Sequence, residues 1–185
     1  MMLGHTLWTI GHSTRPIDQF LNLLRAYKIR LLIDVRTIPR SRYNPQFNSD
    51  SLAKSAADAD IGYRHAAALG GLRKAMKDSI NMGWRNASFR GYADYMQTNE
   101  FWNALEELMA ESRLRPTAIM CAEALPWRCH RSLIADAVLS RAWTVRHIMS
   151  LDKADDHKLT PFAAIDRGKL IYPASIDPTA DPRLF

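Results

Sequence analysis

The stretch Leu31-Leu32-Ile33-Asp34-Val35 limits the fold more than any other part of this 185-residue chain. It is apolar at all but one position, as a strand is when helices cover both faces of a parallel sheet. What precedes it agrees. Leu7-Trp8-Thr9-Ile10 reads as a short buried strand stopped by Gly11. Ile17, Phe20, Leu21 and Leu24 then recur at i, i+3, i+4 and i+7, the spacing of one helix face. Pro16 suits the first turn of that helix, and Asp18 suits its positive end. Strand, helix and apolar strand make a βαβ unit, which closes right-handed.

The remaining elements follow from the same periodicities. Beyond an arginine-rich loop through Pro39 and Pro45, Leu52, Ala53 and Ala56 predict a short helix begun near Ser49 or Ser51. Ile61–His65 reads as a third strand, Gly70-Gly71 as a turn, and residues 72–90 show no regular period. Phe101, Leu105, Leu108 and Met109 predict a helix capped by Thr98, with Glu100 in its first turn. Ala118–Cys121 is a fourth strand, Leu133, Ile134, Ala137 and Val138 mark another helix, and Val145–Ile148 is a fifth strand. The tail over 172–185 carries Pro173, Pro178 and Pro182 and is expected to be extended. The pattern predicts a single α/β domain over residues 1–185, on a mainly parallel sheet of about five strands with helices on both faces. Residues 151–185 form its less defined extension.

Composition narrows the class. Apolar residues at 47% and charged residues at 24% are those of a soluble globular protein. No stretch has the length of a membrane span, and the N-terminus lacks a secretory pattern, so no membrane partner is expected. Two cysteines make no disulfide framework, which points to a reducing, cytoplasmic setting. Lys+Arg outnumber Asp+Glu 25 to 19, a net charge of +6. The excess is concentrated. Residues 28–42 set five basic side chains against Asp34 alone, and residues 64–90 set six against Asp78 alone. Such clustering favours a phosphate-bearing small molecule or nucleic acid as partner. The chain carries no zinc finger, no RNA-recognition aromatic pattern and no glycine-rich P-loop.

In open parallel sheets, ligands bind beyond the carboxyl ends of the strands. Four of the five strands read above end there in polar or titratable residues: Gly11-His12-Ser13, Asp34-Val35-Arg36, Arg64-His65 and Cys121-Ala122-Glu123. Asp34 is costly in an apolar strand without a partner. Arg36, two residues on and therefore on the same face, supplies one. Arg40 and Arg42 lie just beyond, with forks suited to phosphate or carboxylate. The densest stretch is MCAEALPWRCHRS, residues 120–132, which holds both thiols. Cys129, His130 and Arg131 fall at a helix start, where unpaired N–H groups and the macrodipole favour an anion and lower a thiol's pKa.

The candidate catalytic residues are accordingly Glu123, as general acid or base, with Cys121, Cys129, His130 and His12. Ser13, Arg36, Arg40, Arg42, Arg73 and Arg131 are the candidate anion-binding residues. Each has a structural reading beside the functional one: His12 as a turn residue, the cysteines as small hydrophobes, Glu123 as the buried partner of an arginine. Three precedents fit less well. The phosphatase loop places five residues between cysteine and arginine, whereas six separate Cys121 from Arg128, and Glu123 would repel a phosphate dianion. The Cys-x7-Cys spacing is not a zinc-knuckle pattern, so neither metal nor cofactor is expected. A thiol–disulfide switch lacks the Cys-x-x-Cys spacing.

These residues give the chain a resemblance to domain-of-unknown-function family 488 of bacteria and archaea. The matching stretches are Thr9-Ile10-Gly11-His12-Ser13, Asp34-Val35-Arg36 with Pro39 and Ser41-Arg42, and Asn44-Pro45-Gln46-Phe47. Tyr63, Leu69-Gly70-Gly71, Arg73, Gly91-Tyr92 and Tyr95-Met96 follow. Last come Cys121-Ala122-Glu123, Pro126, Cys129-His130-Arg131, Ile134-Ala135 and His147-Ile148. The resemblance spans roughly residues 7–150 and implies the fold and the site, not a reaction. From the residues themselves, the expected function is hydrolysis or group transfer on a nucleotide or nucleic-acid-like anionic substrate. The alternatives are a binding module without catalysis and, third, a thiol redox or metal site.

Overall fold

Strand β1 (Thr6–Gly11), helix α1 (Ile17–Ala26) and strand β2 (Leu31–Asp34) form the βαβ unit that the apolar stretch requires. They belong to a computed structural model that describes residues 4–174. The two strands do not touch. Strand β4 (Thr117–Cys121) lies between them and runs parallel to both, pairing Gly11 with Cys121 and Asp34 with Met120. Strand β3 (Gly62–His65) follows helix α2 (Ser49–Ala57) and extends the sheet beyond β2. Strand β5 (Thr144–Ile148) extends it beyond β1.

Five parallel strands are therefore present, as the sequence implies. A sixth, β6 (Ala154–Asp156), adds antiparallel at the edge, giving the order β3-β2-β4-β1-β5-β6. Its three residues, Ala-Asp-Asp, carry no strand pattern, because an edge strand needs only backbone pairing. A separate hairpin, β7 (Ala164–Asp166) and β8 (Lys169–Ile171), turns on Arg167 and Gly168, both at positive φ. Ala174 is the last described residue, so the expected extension at Pro178 and Pro182 falls outside the described residues.

The helices cover both faces. Phe20, Leu21, Leu23 and Leu24 of α1 and Leu52 and Ala56 of α2 pack with Ile10, Leu32 and Met120 on one face. Helix α4 (Asn99–Leu114) and helix α5 (Arg131–Leu139) cover the other, burying Phe101, Leu105, Leu133 and Ile134 against Leu31, Ile33 and Ile119. Thr98 caps α4, its hydroxyl accepting from the Phe101 amide at 3.3 Å. One helix is new, α3 (Ala87–Tyr95), which begins at the end of the 72–90 stretch without a regular period and runs beyond it. Asn86 caps it, accepting from the Ser88 and Phe89 amides. Gly91 interrupts its apolar face for a steric reason, since a Cβ there would lie 2.4 Å from the Arg73 carbonyl oxygen.

This topology fixes where a ligand can enter. Neighbouring strands β1 and β4 send their chains to opposite faces, β1 into α1 and β4 into α5. A crevice opens where connections diverge in this way, at the carboxyl ends of the two strands.

Candidate active site

A cleft of about 840 Å³ lies over those carboxyl ends. Its floor is His12 and Ser13 after β1, Arg36 and Thr37 after β2, and Cys121 through Leu125 after β4. Arg40, Ser41 and Asn44 form one wall, and Arg128, Cys129 and His130 another. Asn86, Ser88 and Phe89 of the α3 start face them, beside Gly71 and Leu72. The volume lies in the range of small-molecule sites.

The charged residues of this region divide into those that the fold pairs off and those that it leaves open. Asp34 and Arg36 are paired as their spacing implies. Arg36 Nε donates to Asp34 Oδ1 at 2.9 Å and Nη2 to Oδ2 at 2.6 Å, a fork on a fully buried carboxylate. Nη2 also donates to the Phe47 carbonyl at 2.7 Å, and the Tyr63 hydroxyl donates to Asp34 at 2.9 Å. Arg36 is 6% exposed, and its donors serve the floor of the cleft. His12 closes the same network. Its Nδ1 donates to the Ser13 carbonyl at 2.8 Å, so Nε2 accepts from Arg36 Nη1 at 3.3 Å. Burial, aided by the Arg36 charge, pulls His12 down to about 4.

Arg131 is likewise committed to the fold. It is 1% exposed, and Nη2 donates to the Glu123 carbonyl at 2.6 Å while Nη1 reaches the Thr9 hydroxyl at 3.3 Å. It ties the turn after β4 down onto β1. Arg73 lies 3.5 Å over the Tyr95 ring and donates to the Gly70 and Ala68 carbonyls, holding the loop before α3. Arg42 is exposed and away from the cleft lining.

Three charged side chains of the cleft have no hydrogen-bond or ion-pair partner among the described residues: Glu123, Arg40 and Arg128, all exposed. The Glu123 carboxylate is therefore not the buried partner of an arginine. Its carbonyl, not its carboxylate, receives Arg131. Sequence reasoning brought in Arg128 only as the arginine separated from Cys121 by six residues, not as an anion-binding residue. It missed Thr14, Thr37, Asn44, Asn86, Ser88 and Phe89, of which Asn86 had a signal in its cap position before Ser88 and Phe89.

Both thiols and His130 meet at the inner wall. The sulfurs of Cys121 and Cys129 lie 4.0 and 3.6 Å from His130 Nδ1. His130 Nε2 donates to the Val35 carbonyl at 2.9 Å, which leaves Nδ1 as the bare acceptor facing the sulfurs. A hydrogen bond from the Cys121 thiol pulls the Cys129 thiol well below its ordinary value against burial, and His130 and Arg131 act in the same direction. That same hydrogen bond, with burial, pushes Cys121 up.

The fold and the cleft define an α/β protein of the open, mainly parallel class, with a cleft at the strand ends that both cysteines line. Within that class, the chain belongs to the family described as domain of unknown function DUF488, whose model matches residues 16–138. The match is shorter at both ends than the motif resemblance over 7–150, and it leaves Gly11-His12-Ser13 outside. No curated protein and no solved structure matches the chain.

Proposed function

We propose that this protein is an enzyme acting by hydrolysis or group transfer on a phosphate-bearing small molecule of the nucleotide class. The observation that carries the reading is the pairing census of the cleft. Asp34, Arg36, Arg73 and Arg131 are engaged by partners inside the protein, Arg131 through Nη1 and Nη2 only, whereas Glu123, Arg40 and Arg128 face the cleft without protein partners. Two open arginines suit a phosphate, and their forks would receive its oxygens. An unpaired carboxylate on the same cleft opposes anion binding, and proton transfer is the task that would offset this cost. Ile38 and Leu72 are 64% and 74% exposed, and Leu125 and Phe89 join them on the cleft, which offers apolar surface to a base or comparable ring. The cleft's size favours a mononucleotide-sized ligand over a polymer.

The test is turnover of a panel of nucleotides and nucleotide conjugates, with products followed by mass spectrometry. On the substrate so found, Glu123→Gln should bind at least as well as the parent, because a repelling charge has gone, and lose turnover by roughly 10²- to 10⁴-fold. Full activity of Glu123→Gln removes Glu123 from the chemistry. Binding without any product across the panel would make the protein a binding module.

A further inference from the structure

The acid–base reading leaves Cys121, Cys129 and His130 without a task, yet the fold brings them together from β4 and the start of α5. One ligand atom from each lies within 4.8 Å of the others. The two sulfur-to-nitrogen separations are 4.0 and 3.6 Å. Tetrahedral zinc, with bonds of about 2.3 Å to sulfur and about 2.0 Å to nitrogen, holds such ligands roughly 3.5 Å apart. The two sulfur-to-nitrogen separations stand close to that value.

The orientation of the ring is the second observation. The Val35 carbonyl can only accept, so Nε2 carries the proton and Nδ1 turns its lone pair toward both sulfurs. A backbone carbonyl on the far nitrogen is how ligating histidines are set in tautomer and angle. Gly71 fixes the same ring from its face. A Cβ there would lie 2.5, 2.8 and 3.0 Å from Nδ1, Cγ and Cε1, nearly equidistant and therefore above the ring, not in its plane. The in-plane direction from Nδ1 stays open to the sulfurs. All three residues also line the cleft, so a fourth coordination position would face it. His12 does not supply the fourth position, since both its ring nitrogens are engaged by Ser13 and Arg36.

We propose that Cys121, Cys129 and His130 bind one soft divalent ion of the zinc type, with a fourth position open to the cleft. Two thiolates and an imidazole select zinc over the oxygen-liganded cations, and three protein ligands with one open position are the pattern of reactive rather than purely structural zinc. This site stands apart from the acid–base role of Glu123, and either can fail alone. It replaces the expectation of no metal drawn from the loose Cys-x7-Cys spacing.

The probe is the metal alone. Untagged, reduced protein loaded with Zn²⁺ and then dialysed should retain about one zinc per chain. Co²⁺ added to the metal-free protein should give thiolate-to-cobalt charge-transfer absorption and the visible bands of a tetrahedral ion, both lost on adding Zn²⁺. Cys129→Ser and His130→Ala should each weaken zinc binding by more than about 100-fold, with the far-ultraviolet dichroism unchanged. If either variant does not fold, the cobalt spectrum of the parent protein decides by itself. Trace zinc only, or a cobalt spectrum without thiolate bands, overturns the site. So does undiminished binding in folded variants, or a Cys121–Cys129 disulfide that persists in reductant.

Discussion

Glu123 and Arg131 lie in one turn and have opposite tasks. The arginine is buried and holds the backbone of the turn through the Glu123 and Ala124 carbonyls, while the glutamate side chain stands free in the cleft. Their substitutions should separate cleanly in urea unfolding. Arg131→Ala leaves two carbonyls and the Thr9 hydroxyl short of a donor in the interior and should cost about 2–4 kcal/mol. Glu123→Gln, which removes no contact, should stay within about 0.5 kcal/mol of the parent. A destabilised Glu123→Gln would mean that the carboxylate is a structural group. At this scale the sequence was readable where partners are near neighbours. Asp34 and Arg36 are two residues apart on one strand face, and their pairing follows from that spacing. The role of Arg131 was not readable, because the carbonyls it holds are positioned by the close approach of β1 and the turn after β4.

Among the elements, that approach depends on Gly11. A Cβ at Gly11 would lie 1.8 Å from the Glu123 carbonyl oxygen and 2.9 Å from the Ala124 Cα, both backbone atoms that no side-chain rotation can clear. Gly11→Ala should therefore push the turn off the end of β1 and lower stability by about 3 kcal/mol or more. An alanine tolerated within 1 kcal/mol in thermal or urea unfolding would contradict this packing. The parallel strands and helices α1, α2, α4 and α5 were legible because each carries its own apolar period, and α4 also its Thr98 cap. Helix α3 was not, although Phe89, Tyr92, Ala93 and Met96 hold helical spacing, because Gly91 and the irregular residues before it mask the pattern. The strands after residue 150 are three residues long and paired mostly by backbone, which leaves no side-chain periodicity to read. The thiol–histidine cluster escaped for a related reason. Its spacing along the chain is loose, and what aligns it is the Val35 carbonyl and Gly71, both remote in sequence.

Over the whole molecule, one buried hydrogen-bond chain joins the C-terminal segment to the sheet. Arg131 donates to Thr9, Thr9 to His147 Nδ1 at 2.7 Å, His147 Nε2 to His157 at 3.0 Å, and His157 Nε2 to Asp136 at 2.8 Å. The Tyr172 hydroxyl and the Thr160 amide donate to the same carboxylate. Burial, with the neighbouring His157, pulls His147 down to about 4 from its ordinary 6.5. The unfolded chain then takes up the proton first as pH falls. Stability from this residue is complete above about 6.5 and declines down to about 4, by up to about 3 kcal/mol. Urea midpoints across that window should fall with pH. Midpoints that stay flat would mean that His147 keeps its ordinary value. No helix among the described residues is long and apolar enough to cross a membrane. The basic clusters seen in the sequence are partly consumed by internal pairing, and the positive charge that remains open on the cleft is that of Arg40 and Arg128.

Those two arginines give the most direct test of the site. Calorimetric titration of a 5′-mononucleotide at low salt should show binding to the parent protein. Arg40→Ala/Arg128→Ala, which removes no contact within the fold, should weaken it by about tenfold or more per charge lost. The contrary result is equally plain: no mononucleotide binding at low salt, or unchanged affinity in the double variant.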